Sequence, residues 1–283
     1  MDIIALMPLR PAHLLLLAVS SILGAVTSCT PVPEGYEFWK QVNREYESRD
    51  YINTLNYLND ILRTENDYTA RAAALKVVIL GGTTRSALEI EEACAAGISR
   101  VPAWDSGPYK NCIEQFRWRA RTSTLALIDA LGGLEKSAAA SGAVSLDFPL
   151  PETSSDPSPM IGRTRAGAMP VEKIFEPSVV RIVDRHIFLQ VCDAVAKDEA
   201  GAKQLFEARP VTVPKATFLV GVAKTLLVGA AVFGADRLDD SEKESATLQQ
   251  ARECLRPALD GDDAALKSKA QALAREISDE PGR

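Results

Sequence analysis

Phe218 to Phe233 is the stretch that most narrows what this chain can fold into. It is apolar throughout except for Lys224 and Thr225. A helix that is hydrophobic all round has to be covered on every side. The run falls short of the roughly 20 residues that cross a bilayer, and its Gly and Ala residues suit close approach of neighbouring helices. It is therefore predicted as a buried core helix rather than a membrane span, and the rest of the chain must supply its cover.

That cover reads as helical. Tyr36, Trp39, Val42 and Tyr46 recur at helical spacing, as do Ile52, Leu55, Leu58 and Leu62, with Asp50 placed to cap the second set. Ala70 to Leu80 is small and apolar and meets Gly81-Gly82, which is read as a helix stop. Ser86 with Glu89 has the spacing of a capping box, so a new helix is predicted from there to Gly97. Ile98 to Pro108 reads as a loop, followed by a long helix from Tyr109 through Phe116, Trp118 and Leu127. Within it, Arg117 to Arg121 forms either a small anion-binding face or a solvated side paired with nearby acids. In the C-terminal part, Val179, Ile182, Val183, Ile187 and Val191 mark a helix. Asp198 is placed to cap a short one, Ser241 with Glu244 to open another, and Asp262 or Asp263 to start the last. Sustained period-2 alternation is missing, so the fold class is all-α.

From Gly142 to Pro177 the composition changes. Pro149, Pro151, Pro157, Pro159 and Pro170 lie among Ser, Thr and Gly, which reads as a linker or long disordered loop. The expected organisation is a leader over 1–28, a tether over 29–35, a helical half over 36–141, a linker over 142–177 and a second helical half over 178–283.

The leader is an apolar run from Leu14 to Val26 of about 13 residues, the length of a secretory h-region rather than a span. Val26-Thr27-Ser28-Cys29 follows, with an aliphatic residue, then small residues, then cysteine. This resembles a bacterial lipobox. The resemblance implies cleavage before Cys29, diacylglycerol on its sulfur and an acyl group on its new amine, enough acyl chain for stable anchoring. The alternative is ordinary cleavage nearby that leaves Cys29 free. By the same resemblance the protein faces the periplasm. Thr30 stands where related lipoproteins retained in the inner membrane carry Asp, so the outer membrane is favoured.

Cys94, Cys112, Cys192 and Cys254 remain, an even number, and an oxidising envelope permits disulfides. The local pairs Cys94–Cys112 and Cys192–Cys254 are expected, with buried free thiols as the alternative. No C-x-x-C occurs, and His186 is the only histidine after the leader, so metal binding is not expected.

Two places echo each other. Ala73–Leu80 leads to Gly81-Gly82 and a helix ending Glu92-Ala93-Cys94. Leu219–Phe233 leads to Gly234 and a helix ending Arg252-Glu253-Cys254. The unit is similar to the antiparallel hairpin of tetratricopeptide-like repeats, which implies a stacked, degenerate helical array. The lipid tether and helical hairpins together resemble the T component associated with periplasmic TRAP transporters.

Hydrolase elbows, metalloprotease helices, EF-hand loops and dinucleotide fingerprints are all missing from the sequence, so no cofactor is implied. Gly81-Gly82-Thr83-Thr84 lacks the flanking pattern of a phosphate loop and is read as a turn. Net charge is −6 with no basic stripe, which argues against nucleic acid as a partner. The leading expectation is a non-catalytic, lipid-anchored helical scaffold that binds an envelope protein or peptide. The alternative is a solute-binding or transport accessory lipoprotein. A hydrolase would need His186 or a buried acid pair facing a cleft.

Overall fold

The computed structural model describes residues 34–138, 142–152, 171–234 and 237–279. The expected leader, the lipobox residues Val26, Thr27, Ser28 and Cys29, and most of the tether lie outside the described residues. So do residues 153–170 of the expected linker.

Nearly all of the described chain is helix. In order come α1 (Tyr36–Glu47), α2 (Tyr51–Ile61), α3 (Thr69–Ile98), α4 (Gly107–Ala138), α5 (Val171–Val195), α6 (Glu199–Phe206), α7 (Lys215–Ala230), α8 (Ser241–Leu259) and α9 (Ala264–Asp279). Two short strands, β1 (Ala143–Leu146) and β2 (Val211–Pro214), make the one small sheet among the described residues. The all-α class holds.

Helix α7 is the core helix that its composition demands. Phe218, Val222, Ala223, Leu226 and Ala230 are fully buried, and it packs against α3, α4, α5, α8 and α9. Two thirds (67%) of its most apolar window is covered inside the fold. Fully burying an apolar side chain of this size stabilises by roughly 1.5–3 kcal/mol, so this helix and its cover carry much of the fold's stability.

Helix α3 departs from expectation. It runs unbroken for 30 residues through Gly81-Gly82. These glycines are not a stop, and Gly81 to Thr84 is not a turn. A Cβ on Gly82 would lie 2.7 Å from the backbone of Ile187 in α5, and one on Gly81 would lie 2.9 Å from the Gln190 side chain. The missing side chains let two helix backbones touch. The Ser86–Glu89 pattern is likewise mid-helix: Ser86 Oγ donates to the Thr83 carbonyl at 2.9 Å, and Glu89 reaches across to α5. The first copy of the sequence echo is therefore one continuous helix, not a hairpin. In the second copy, α8 does pack back on α7 after Gly234.

Caps at Asp50, Asp198 and Asp263 form as read, each side chain accepting from a first-turn N–H. Asp240, not Ser241, caps α8 by accepting from Lys243 N–H. On α2 the buried face is Thr54, Leu58 and Ile61, and Ile52 is 72% exposed. Trp39, Val42 and Tyr46 bury one face of α1, with Trp39 stacked on Tyr68 at 5.7 Å between ring centroids.

The expected linker also needs correction. Its first residues are core. β1 pairs antiparallel with β2, Leu146 opposite Val211 and Ala143 opposite Pro214. Val144, Leu146, Val211 and Val213 turn to one buried face. Phe148 continues the alternation and is fully buried, its ring 5.7 Å from that of Tyr46 and 5.9 Å from that of Phe206. Helix α5 then begins at Val171, ahead of the expected 178. One hydrophobic core runs from Trp39 to Ile277, so the two expected halves share their interior.

Cys94, near the end of α3, and Cys112, near the start of α4, are disulfide-bonded across a sequence separation of 18. Closing a loop of that length is worth about 3 kcal/mol in the chain-entropy account. Reduction of the folded protein is expected to lower its unfolding free energy by about that amount. Urea denaturation with and without a phosphine reductant measures it. Cys192 and Cys254 are not paired; both are buried free thiols. They sit on α5 and α8, each of which packs against α7, and neither thiol is bonded to the other.

Candidate functional site

Helix α5 positions the site. Polar side chains along it bond successively to different neighbours. Asp184, buried, accepts from the Tyr51 hydroxyl at 2.5 Å and faces Arg49 Nε at 3.1 Å. Burial pushes its carboxyl up despite the Tyr51 bond and the Arg49 charge. Arg185 and His186 both meet Glu89 of α3, His186 Nε2 at 2.6 Å. His186 is thus a packed helix-to-helix contact. Gln190, fully buried, accepts from Thr225 Oγ1 and donates to the Gly221 carbonyl, both on α7. Asp193 holds Arg85 of α3 at 2.7 Å and Lys224 of α7 at 3.0 Å.

Glycines bring the backbones to that bonding distance. A Cβ on Gly221 of α7 would lie 2.6 Å from Ala194 N and Asp193 C of α5. Helix α5 is therefore gripped at backbone contact by Gly82 of α3 on one element and by Gly221 of α7 on another.

Where α5 ends, the structure opens a cleft of about 430 Å³ between α5, α7 and α9. Its apolar surface comes from Cys192 and Ala196, from Val220 and Gly221, and from Leu266 and Leu273. Lys197, Lys224 and Lys269 line it together with Asp193, Asp198 and Glu276. Ala196 adopts a left-handed φ of 54° as the chain leaves α5, and this turn places Lys197 and Asp198 at the cleft. Asp198 is occupied in capping α6 through Gly201 N–H at 2.7 Å. The Cys192 thiol is pushed up to about 11, chiefly by burial and further by the Glu199 and Asp193 charges. It stays protonated at neutral pH and is a poor nucleophile. The Cys254 thiol, buried in the core, is pushed up to about 12 by the same cause.

Among the sequence candidates that fall on described residues, Cys192 alone lines this cleft. Cys94 and Cys112 serve as a staple, and Cys254 is core. In the Arg117–Arg121 stretch two arginines pair with acids, and the third, Arg119, lies over the Phe116 ring at 5.1 Å. Arg117 binds buried Glu91 at 3.0 Å, and Arg121 meets Asp240 at 3.7 Å. Among the described residues no group of three or more His, Cys, Asp or Glu side chains is placed to hold a metal ion. Sequence reasoning missed Lys197, in the turn between α5 and α6, and Lys269 and Glu276, both on α9, because the two segments become neighbours only in the assembled fold.

Glu89 carries a pH consequence. The His186 hydrogen bond is the largest influence on its carboxyl; burial opposes it, and the charges of His186 and Arg185 add to it, so that the group is held below the ordinary value of 4.5. A depressed acid contributes stability above its unfolded value, and that stability is lost as pH falls through the folded one. The unfolding free energy is expected to decline below about pH 4.5. Glu89→Gln should show a shallower decline across the same range in urea titrations. Asp184, raised rather than lowered, contributes with the opposite sign.

Compared with protein-family models, curated proteins and solved structures, the chain matches none.

Proposed function

We propose that this chain is an envelope lipoprotein, tethered to a membrane by lipid on Cys29, that binds a small solute between α5, α7 and α9 without transforming it. The cleft carries this reading. Its volume of about 430 Å³ lies in the range of small-molecule sites, and it combines an apolar floor with a few charged groups at the rim. The high thiol value of Cys192 and the engagement of Asp193 by two cations leave those two groups poorly suited to nucleophilic or general-base work.

Two measurements test the proposal. Cys29→Ala is expected to move the protein from the membrane pellet to the soluble fraction, with its helical circular dichroism unchanged. Retention in the pellet would overturn the tether. Calorimetric titration of the purified protein with small acids, amines and alcohols should find at least one that binds; failure of every compound would remove the solute-binding reading.

A second reading, a scaffold for an envelope protein, is favoured by Trp104 and Trp118, which are 84% and 66% exposed. Exposed Trp is enriched at protein interfaces. Crosslinking pull-down from the native envelope tests it. A partner captured by the parent protein and lost with Trp104→Ala and Trp118→Ala would support the scaffold.

A further inference from the structure

We infer that the cleft between α5, α7 and α9 selects a small monocarboxylate with an apolar body, held by the ammonium groups of Lys197 and Lys269. The inference rests on the solute-binding reading and adds to it the chemical class of the ligand.

The charged groups of the cleft are unequally engaged. Asp193 already has two cationic partners, Arg85 and Lys224, at 2.7 and 3.0 Å. Asp198 is committed to its helix cap. Lys197 and Lys269 line the same cleft and have no ion-pair partner among the described residues. An ammonium facing an apolar-floored cleft is a ready donor for a carboxylate, and charge-assisted bonds of that kind are about twice as strong as neutral ones. A cationic ligand would meet these two charges, with Glu276 the one lining carboxylate that is neither ion-paired nor capping a helix.

Glu276 also argues against a dicarboxylate. It follows Lys269 by two turns of α9, about 10 Å along the helix axis, and it too lines the cleft without an ion-pair partner among the described residues. Leu273 lies between them in sequence, so α9 offers the cleft a cation, an apolar side chain and then an anion. A ligand with a carboxylate at one end finds Lys269 and then apolar surface; a second carboxylate at its far end would approach Glu276. The apolar body rests on Cys192, Val220, Leu266 and Leu273.

The test titrates the purified full-length protein with isocaproate, isohexylamine, isohexanol and adipate by calorimetry. Isocaproate is expected to bind. Lys197→Gln and Lys269→Gln, both at exposed positions, should each weaken it about tenfold. Equal or tighter binding of the amine, the alcohol or adipate would overturn the selectivity while leaving solute binding intact. Isocaproate binding unaffected by both lysine variants would overturn the location. If none of the four binds, the inference falls, and the wider screen of acids, amines and alcohols decides the underlying reading separately.

Discussion

Phe148→Ala is expected to destabilise the protein by about 3–5 kcal/mol, the range for removing a fully buried aromatic side chain. The ring is fully buried, with those of Tyr46 and Phe206 within 6 Å of it. Those neighbours come from α1 and α6, from elements expected to lie in separate halves. The loss would therefore be felt on both sides of the chain. Urea denaturation followed at both tryptophan fluorescence and far-ultraviolet circular dichroism measures it. A change of less than about 1 kcal/mol would mean that residues 142–150 do not belong to the core.

Gly221→Ala is expected to cost about 3 kcal/mol, at the upper end of what overpacking usually does. The new methyl would meet main-chain atoms of Asp193 and Ala194 at 2.6 Å, and a backbone cannot swing aside as a side-chain tip can. Relief requires α5 and α7 to separate, which loosens the Gln190–Thr225 and Asp193–Lys224 bonds together. Gly82→Ala poses the same problem against Ile187 and should cost a similar amount. Gly132→Ala is the control. Nothing lies within 4 Å of the methyl it would add, so its helix should be unharmed or slightly stabilised. Melting temperatures of the three variants separate a packing effect from a general effect of filling glycines.

Much of this fold could be read from residue order, and the misreadings share a cause. The α7 helix was legible because its apolarity is continuous and needs no partner to be recognised. Gly81-Gly82 was not, because a glycine that ends a helix and a glycine that admits another backbone look the same in one dimension. Only the position of Ile187 distinguishes them. Ser86 and Glu89 carry capping-box spacing, yet the hydroxyl bonds to its own helix and the carboxylate to His186. Val144, Leu146 and Phe148 do alternate with Ser145 and Asp147, a strand signal obscured by the Pro, Ser and Gly that follow. Counting four cysteines said that two bridges were permitted, not that Cys192 and Cys254 would meet. The cleft was least legible, since its charged groups come from Asp193 through Glu276 and become neighbours only once α5, α7 and α9 are assembled.

Backbone-to-backbone contact has a mechanical corollary. Helices α5 and α7 meet through a glycine without an intervening layer of side chains, so they cannot slide past each other without a main-chain clash. They form a fixed jaw. Helix α9 rests on α8 and α7 through side chains and joins the body through the short Asp260–Asp263 connection, which includes Gly261. Of the three helices that line the cleft, α9 is the one not fixed by such a glycine contact, and it carries Lys269 and Glu276.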